Sequence, residues 1–219
     1  MAGKKIGVIA GTPVDAAMGV DVLKAKGYEA APYPAAASAR EQTEFQLIPM
    51  DGRVDKIRTL IRQVLADGMQ GVLIYCNSLS ASLDFPALAK ELDVPLVTPL
   101  DAYREYASDY RVLGVAAANN QALAGIERAI MAGNPKCDVY GICFLPAVTA
   151  IEENVPPAEI VRRFGLNTVL DWFAHIKAEA MILGCTHFPY LADELNKHAR
   201  LPLLDPADRM CELLDTRIK

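Results

Sequence analysis

Residues 178–191 read AEAMILGCTHFPYL. Within them a short apolar run, Met181-Ile182-Leu183, stops at Gly184 and then presents Cys185, Thr186 and His187 ahead of Phe188-Pro189, where a residue before proline is pushed out of the helical region. This is the pattern of a buried strand that delivers a thiol to its carboxyl end. In an open α/β sheet that end is where ligands bind, because the loops there are held by a rigid scaffold beside helix amino termini.

A second stretch has the same design. Gly71-Val72-Leu73-Ile74-Tyr75 is apolar and β-branched, and it ends in Cys76-Asn77-Ser78-Leu79-Ser80. Two earlier strands also resemble each other: Lys5 to Ala10 and Arg111 to Ala116 each start on a basic residue and place a glycine, Gly7 or Gly114, inside an aliphatic run. Gly114 lies 107 positions after Gly7, and Cys185 lies 109 after Cys76. A nearly constant offset of about half the chain marks a duplicated unit. The expectation is an α/β protein of two pseudosymmetric three-layer halves with mostly parallel sheets, facing each other across a cleft, with one cysteine from each.

Composition bounds the reading. At 219 residues and 52% apolar content the chain is that of an ordinary soluble globular protein. No run approaches the roughly 20 apolar residues that span a bilayer, and MAGKK, followed at once by a strand, has no signal-peptide pattern. A cytoplasmic protein without a membrane partner is expected. The five cysteines, Cys76, Cys137, Cys143, Cys185 and Cys211, are odd in number and lack a C-x-x-C pair, so they read as thiols rather than a disulfide framework. A net charge of −5 without a Lys/Arg cluster argues against a nucleic-acid partner.

Along the chain, strand one runs into Gly11-Thr12-Pro13-Val14-Asp15 and a helix that Gly27 closes. Free N–H groups at that helix start, with Gly11 and the Thr12 hydroxyl, form a candidate anion site. The connection 35–49 is long enough to be a functional loop. Val54, Ile57, Leu60, Ile61, Val64 and Leu65 then recur at helical spacing as a core stripe ended by Gly68. A helix is expected over 82–92. Pro99-Leu100-Asp101 marks the crossing, giving a first domain of 1–98 plus 200–219 and a second of 99–199. In the second half Asn119-Asn120 takes the place of the first half's anion loop.

A single cysteine at a strand end is most often a small apolar filler. Two at matching positions in a duplicated chain call for another reading. Cys137, Cys143 and Cys211 lack that context and read as structural, and His175 and His198 sit in helical stretches. Metal binding by Cys76, Cys185 and His187 would leave a structural zinc one ligand short of four, so no metal is expected.

Cys76-Asn77-Ser78 resembles the C-N-T motif, and Gly184-Cys185-Thr186-His187-Phe188-Pro189-Tyr190-Leu191 the G-C-T-H-Y-P-x-L motif, of the aspartate/glutamate racemases that work without pyridoxal phosphate. The resemblance covers essentially the whole chain. It implies a two-domain fold with the active site in the cleft, no cofactor, a small dicarboxylic amino acid as substrate, and a homodimer. It assigns Cys76 and Cys185 as the two acid/base residues, with His187 assisting proton transfer and Asn77, Ser78 and Thr186 lining the substrate. Glu152 corresponds to the acidic residue that assists the second cysteine in glutamate racemases. One departure stands out: glutamate racemases carry D-S-G after the first strand, where this chain has Ala10-Gly11-Thr12-Pro13, nearer the G-M-G-P-E-A loop of aspartate racemases. The loop points to aspartate and the His187 motif to glutamate.

Two thiols suit inversion of a stereocentre, which removes the α-proton from one face and returns one to the other; a cysteine pKa of about 8.5 lies close to neutrality. Backbone N–H groups after each cysteine, with Thr12, Asn77 and Thr186, are candidates to meet the charge that develops on the carboxylate. Other reactions run on similar folds: maleate isomerisation, arylmalonate decarboxylation and hydantoin racemisation. A thiol hydrolase with Cys185 and His187 would leave Cys76 unused, and residues two apart need not face each other. A non-catalytic carboxylate-binding module is the remaining alternative.

Overall fold

The computed structural model describes residues 3–37, 41, 44–45 and 47–218. Positions 38–40, 42–43 and 46 of the long connection lie outside them, so its expected functional role falls partly outside the described residues. The chain divides into two compact units, 1–102 with 207–219, and 103–206.

The first unit opens with β1 (Lys5–Ala10), α1 (Pro13–Ala25) and β2 (Glu29–Pro34). Thr12 caps α1 by accepting from the Asp15 N–H at 3.3 Å, and Pro13 supplies a pre-set φ at the first helical position. Gly27, at φ 87°, turns the chain out in the left-handed region that a side chain resists. After α2 (Met50–Ala66) come β3 (Gly71–Ile74), α3 (Asn77–Ser82), α4 (Phe85–Glu91), β4 (Leu96–Val97) and α5 (Pro99–Tyr106). The sheet is wholly parallel, in the order β2-β1-β3-β4. From the helical stripe of α2, Ile57, Ile61 and Val64 are fully buried. A Cβ on Gly7 would stand 2.3 Å from Val64, so α2 packs directly against the middle of β1.

The second unit repeats the plan with β5 (Val112–Ala117), α6 (Asn120–Gly133), β6 (Asp138–Cys143), α7 (Leu145–Glu152), α8 (Pro157–Arg163), α9 (Leu166–His175), β7 (Ala180–Gly184), α10 (Ala192–Asn196) and β8 (Leu203–Leu204). Its sheet is also parallel, in the order β6-β5-β7-β8. The repeat extends to packing: Gly114 of β5 receives the Phe173 ring of α9 as Gly7 receives Val64. Because β8 pairs with β7, the second unit runs to Pro206, past the boundary of 199 read from the sequence.

The last helix, α11 (Ala207–Arg217), belongs to the first unit. Arg217 holds it there, donating to the Leu96 carbonyl and to Asp101, while the other oxygen of Asp101 accepts from the Thr98 N–H and hydroxyl at 2.8 Å. Lys4 pairs with Asp215 at 2.9 Å. Among the described residues no helix is long and apolar enough to cross a membrane.

Candidate functional site

In the first unit the register carries Ile9 beside Ile74, and the Tyr75 N–H donates to the Ile9 carbonyl. Two residues further on, Gly11 and Cys76 leave adjacent strands at the same level. Gly11, Thr12, Cys76, Asn77 and Ser78 therefore gather at one sheet end, all buried. The expected helix over 82–92 is α4, and the structure adds α3 ahead of it, beginning directly after Cys76, which serves as its N-cap; a break at Leu83 and Asp84 separates the two. The serines explain the difference. Ser80 Oγ donates to the Cys76 carbonyl and Ser82 Oγ to the Leu79 carbonyl, each at 2.7 Å, so hydroxyls that read as loop chemistry fold back on the helix.

The Cys76 thiol is 5% exposed. Burial, then the negative charge of Asp15, pushes its pKa up from the ordinary value of 9.0 to about 11, against hydrogen bonds from Ser78, Leu79 and Gly11 that favour the thiolate. Ser78 Oγ lies 3.4 Å from Sγ. Asn77, beside the thiol in sequence, is buried, and neither its Nδ2 nor its Oδ1 has a hydrogen-bond partner among the described residues. An amide buried with both ends unsatisfied costs folding free energy unless something else completes it. It offers an NH2 group that donates and a carbonyl oxygen that accepts, the pair that a ligand with a carboxylate and an ammonium group would use.

In the second unit β7 ends at Gly184 beside Ala117 of β5, and Cys185, Thr186 and His187 follow, each buried. Cys185 Sγ lies 3.6 Å from His187 Nδ1, and His187 Nε2 lies 3.2 Å from Glu152 Oε1. The objection that residues two apart need not face each other does not hold here. The turn closed by the Phe188 N–H donating to the Cys185 carbonyl at 3.0 Å folds the imidazole back to the thiol. Glu152 arrives from the last position of α7. The result is a thiol, imidazole and carboxylate in series, in which the carboxylate orients the ring.

Asn119 caps α6, its Oδ1 accepting from the Ala122 N–H at 2.9 Å, as Thr12 caps α1. It stands two residues past β5, at the same sheet end as Cys185. The sequence reading missed Asp15, which is 3% exposed. Thr12-Pro13-Val14-Asp15 has the spacing of an ordinary N-terminal capping pattern, and that hid it. Among the described residues no group of three or more His, Cys, Asp or Glu side chains is placed to hold a metal ion.

A family profile for Asp/Glu/hydantoin racemase matches residues 48–214. A glutamate racemase from Shewanella halifaxensis is 29% identical over 155 residues, which cover 66% of this chain and 57% of that protein. The chain thus spans about half the length of the curated relatives it matches. Among solved structures, that of a glutamate racemase from Francisella tularensis in complex with D-glutamate superposes with a TM-score of 0.75 at 19% identity, covering 99% of this chain and 81% of that one. An aspartate racemase homologue from Pyrococcus horikoshii gives 0.67 at 16% identity, covering 99% and 100%. At these identities the structural likeness shows the fold.

Proposed function

Because the chain belongs to the Asp/Glu/hydantoin racemase family, we propose that it is a cofactor-independent isomerase that interconverts the L- and D-forms of an acidic amino acid by proton transfer through Cys76 and Cys185. The single observation that carries this reading is the repetition of one buried cysteine, at the carboxyl end of the third strand, in each of two units with the same strand order. Racemisation needs one acid/base group for each face of the α-carbon. A duplicated fold with one thiol per unit supplies two.

In this mechanism one cysteine is thiolate and the other thiol. The thiolate takes the α-proton, the electron pair left on the α-carbon is delocalised into the carboxylate, and the thiol gives its proton to the opposite face. The two sulfurs have then exchanged roles, and the reverse reaction runs from that state. His187, oriented by Glu152, supports charge on Cys185; Ser78 and the N–H groups of Gly11 and Leu79 support it on Cys76. Donors for the substrate carboxylate come from Asn77 and Thr186, with Thr12, Gly11 and Asn119 at the two capped helix starts. Glutamate is the leading substrate, given the names of the relatives and the His187-Glu152 pair; aspartate is the second, favoured by the Gly11-Thr12-Pro13 loop. The cytoplasmic homodimer implied by the resemblance is part of the same proposal.

The test is proton NMR of each enantiomer of aspartate and glutamate in heavy water with the purified protein and no added cofactor. Loss of the α-proton signal and growth of the opposite enantiomer, abolished by Cys76→Ala and by Cys185→Ala, is the expected result. No exchange with any of the four would reject the reading.

A further inference from the structure

Val64 of α2 packs on Gly7, whereas Val8 and Tyr75 pack on Gly19 of α1, so the two helices cover opposite faces of the first sheet. Side chains alternate along a strand, and parallel residues in register point the same way. Gly7 pairs with Val72 and Ile9 with Ile74. Cys76 is itself extended, at φ −164° and ψ 121°, so Val72, Ile74 and then Cys76 face α2.

The stripe of α2 that lies on this face continues past the end of the sheet. Arg53, Ile57, Ile61 and Val64 recur at helical spacing, and the three apolar members are fully buried. Because α2 joins two strands of a parallel sheet, it runs against them. From Val64 back to Arg53 the helix rises about 16 Å, whereas β1 ends about 10 Å beyond Gly7. Arg53 therefore stands at the level where Gly11 and Cys76 leave their strands. The chain leaving β2 reaches the same level, the Ala35 and Ala36 N–H groups donating to the Ala10 and Gly11 carbonyls at 2.8 and 3.1 Å.

Arg53 is half-buried, and its Nε is shut off from water with no hydrogen-bond partner among the described residues. An arginine that only lays its stem along the surface keeps its head in water. Asp55, two positions on, is taken by Arg58. A permanent cation with a buried, unsatisfied N–H costs folding free energy until an anion completes it. A carboxylate does so with two parallel bonds, one from Nε and one from an Nη. An acidic amino acid brings two carboxylates. Gly11, Thr12 and Asn77 offer neutral donors to the one on the α-carbon, which leaves the one at the end of the side chain. Resting on the racemase reading, we propose that Arg53 is the specificity-determining residue of the first unit: its guanidinium takes the side-chain carboxylate of the substrate and so admits aspartate or glutamate ahead of their amides.

The experiment measures, by calorimetry, the binding of both enantiomers of aspartate, glutamate, asparagine and glutamine to the native chain, Arg53→Gln and Arg53→Lys. Circular dichroism confirms folding. The native chain is expected to hold an acid about tenfold or more tighter than its amide, and Arg53→Gln to weaken the acid about tenfold to a hundredfold while leaving the amide nearly unmoved. Arg53→Lys keeps the charge without the planar fork and retains part of the preference. A general loosening of structure weakens acid and amide alike. A preference that survives in Arg53→Gln therefore overturns the proposal, as does a native chain that binds no acid or does not prefer it. If Arg53→Gln does not fold, Arg53→Lys decides: a weakened acid with an unmoved amide supports the proposal, and equal effects on both overturn it. Binding needs no turnover, so the two readings fail separately. Native α-proton exchange with an unmoved preference removes Arg53 alone, whereas a preference that depends on Arg53 without exchange of any acidic amino acid removes the racemase reading.

Discussion

His187 Nε2 lies 3.2 Å from Glu152 Oε1, while the other ring nitrogen faces the Cys185 sulfur at 3.6 Å. A partly exposed carboxylate at the end of α7 thereby reaches a thiol at the end of β7 through a buried imidazole. The ring is held by both ends.

Glu152→Gln keeps the shape of that carboxylate and removes its charge. Exchange of the α-proton falls about tenfold to a hundredfold, toward the scale of losing a general acid or base. Thermal unfolding changes little, because the Glu152 side chain is 27% exposed and glutamine keeps a hydrogen-bonding group beside His187 Nε2. Steady-state exchange and a melting curve on the same sample check both halves, and native exchange in Glu152→Gln would take Glu152 out of the site.

Asn77→Leu makes a prediction of opposite signs. The amide is buried with both polar atoms unpartnered, so exchanging it for an apolar side chain of similar size removes an uncompensated desolvation cost of about 1–3 kcal/mol. The variant is expected to unfold at higher denaturant than the native chain and to lose most of its affinity for the acidic amino acid. A less stable Asn77→Leu would mean that the amide already has the partners it needs.

Much of this was legible in the sequence. The offset between Gly7 and Gly114 and that between Cys76 and Cys185 are two readings of one duplication, and it reappears as two parallel sheets of identical order. Strands buried on both faces leave continuous apolar runs, which one-dimensional reading detects well. What it missed depends on contacts. The helix after Cys76 is built from serines whose hydroxyls fold back on carbonyls, and α7 opens on Leu145-Pro146, which looks like a break although proline is at home in a first turn. The approach of His187 to Cys185 is set by a turn, and the seating of α1 by the packing of Gly19 on Tyr75, neither of which spacing encodes.

Gly19→Val tests that packing. Its added atoms would enter space held by Tyr75 and by Val8 Cγ1, each 2.7 Å from the first of them. Overpacking a core contact costs about 1–3 kcal/mol, and α1 must shift away from β1 and β3 to relieve it. The melting temperature falls, and exchange falls further than the loss of folded protein explains, because the Gly11-Thr12-Asp15 segment shifts with the helix. Equal losses in folding and exchange would separate α1 from the chemistry.

The burial of Cys76 also leaves a mark on stability against pH. Its folded pKa of about 11 lies above the ordinary 9.0, so in the interval between them the native state holds a proton that the unfolded chain has released. The unfolded state then binds fewer protons, and stability falls as pH rises. The contribution is fully present below about 9.0 and is lost by about 11, a change of about 2 kcal/mol for a fully buried group. Other thiols, lysines and tyrosines titrate in the same interval, but their effect cancels in a comparison with Cys76→Ala. Urea unfolding of both proteins across that range is expected to show the native chain losing stability more steeply than Cys76→Ala by about that amount. Parallel curves would mean that Cys76 ionises as freely in the folded protein as in the unfolded chain, and the proton-holding role of its surroundings would fall with it.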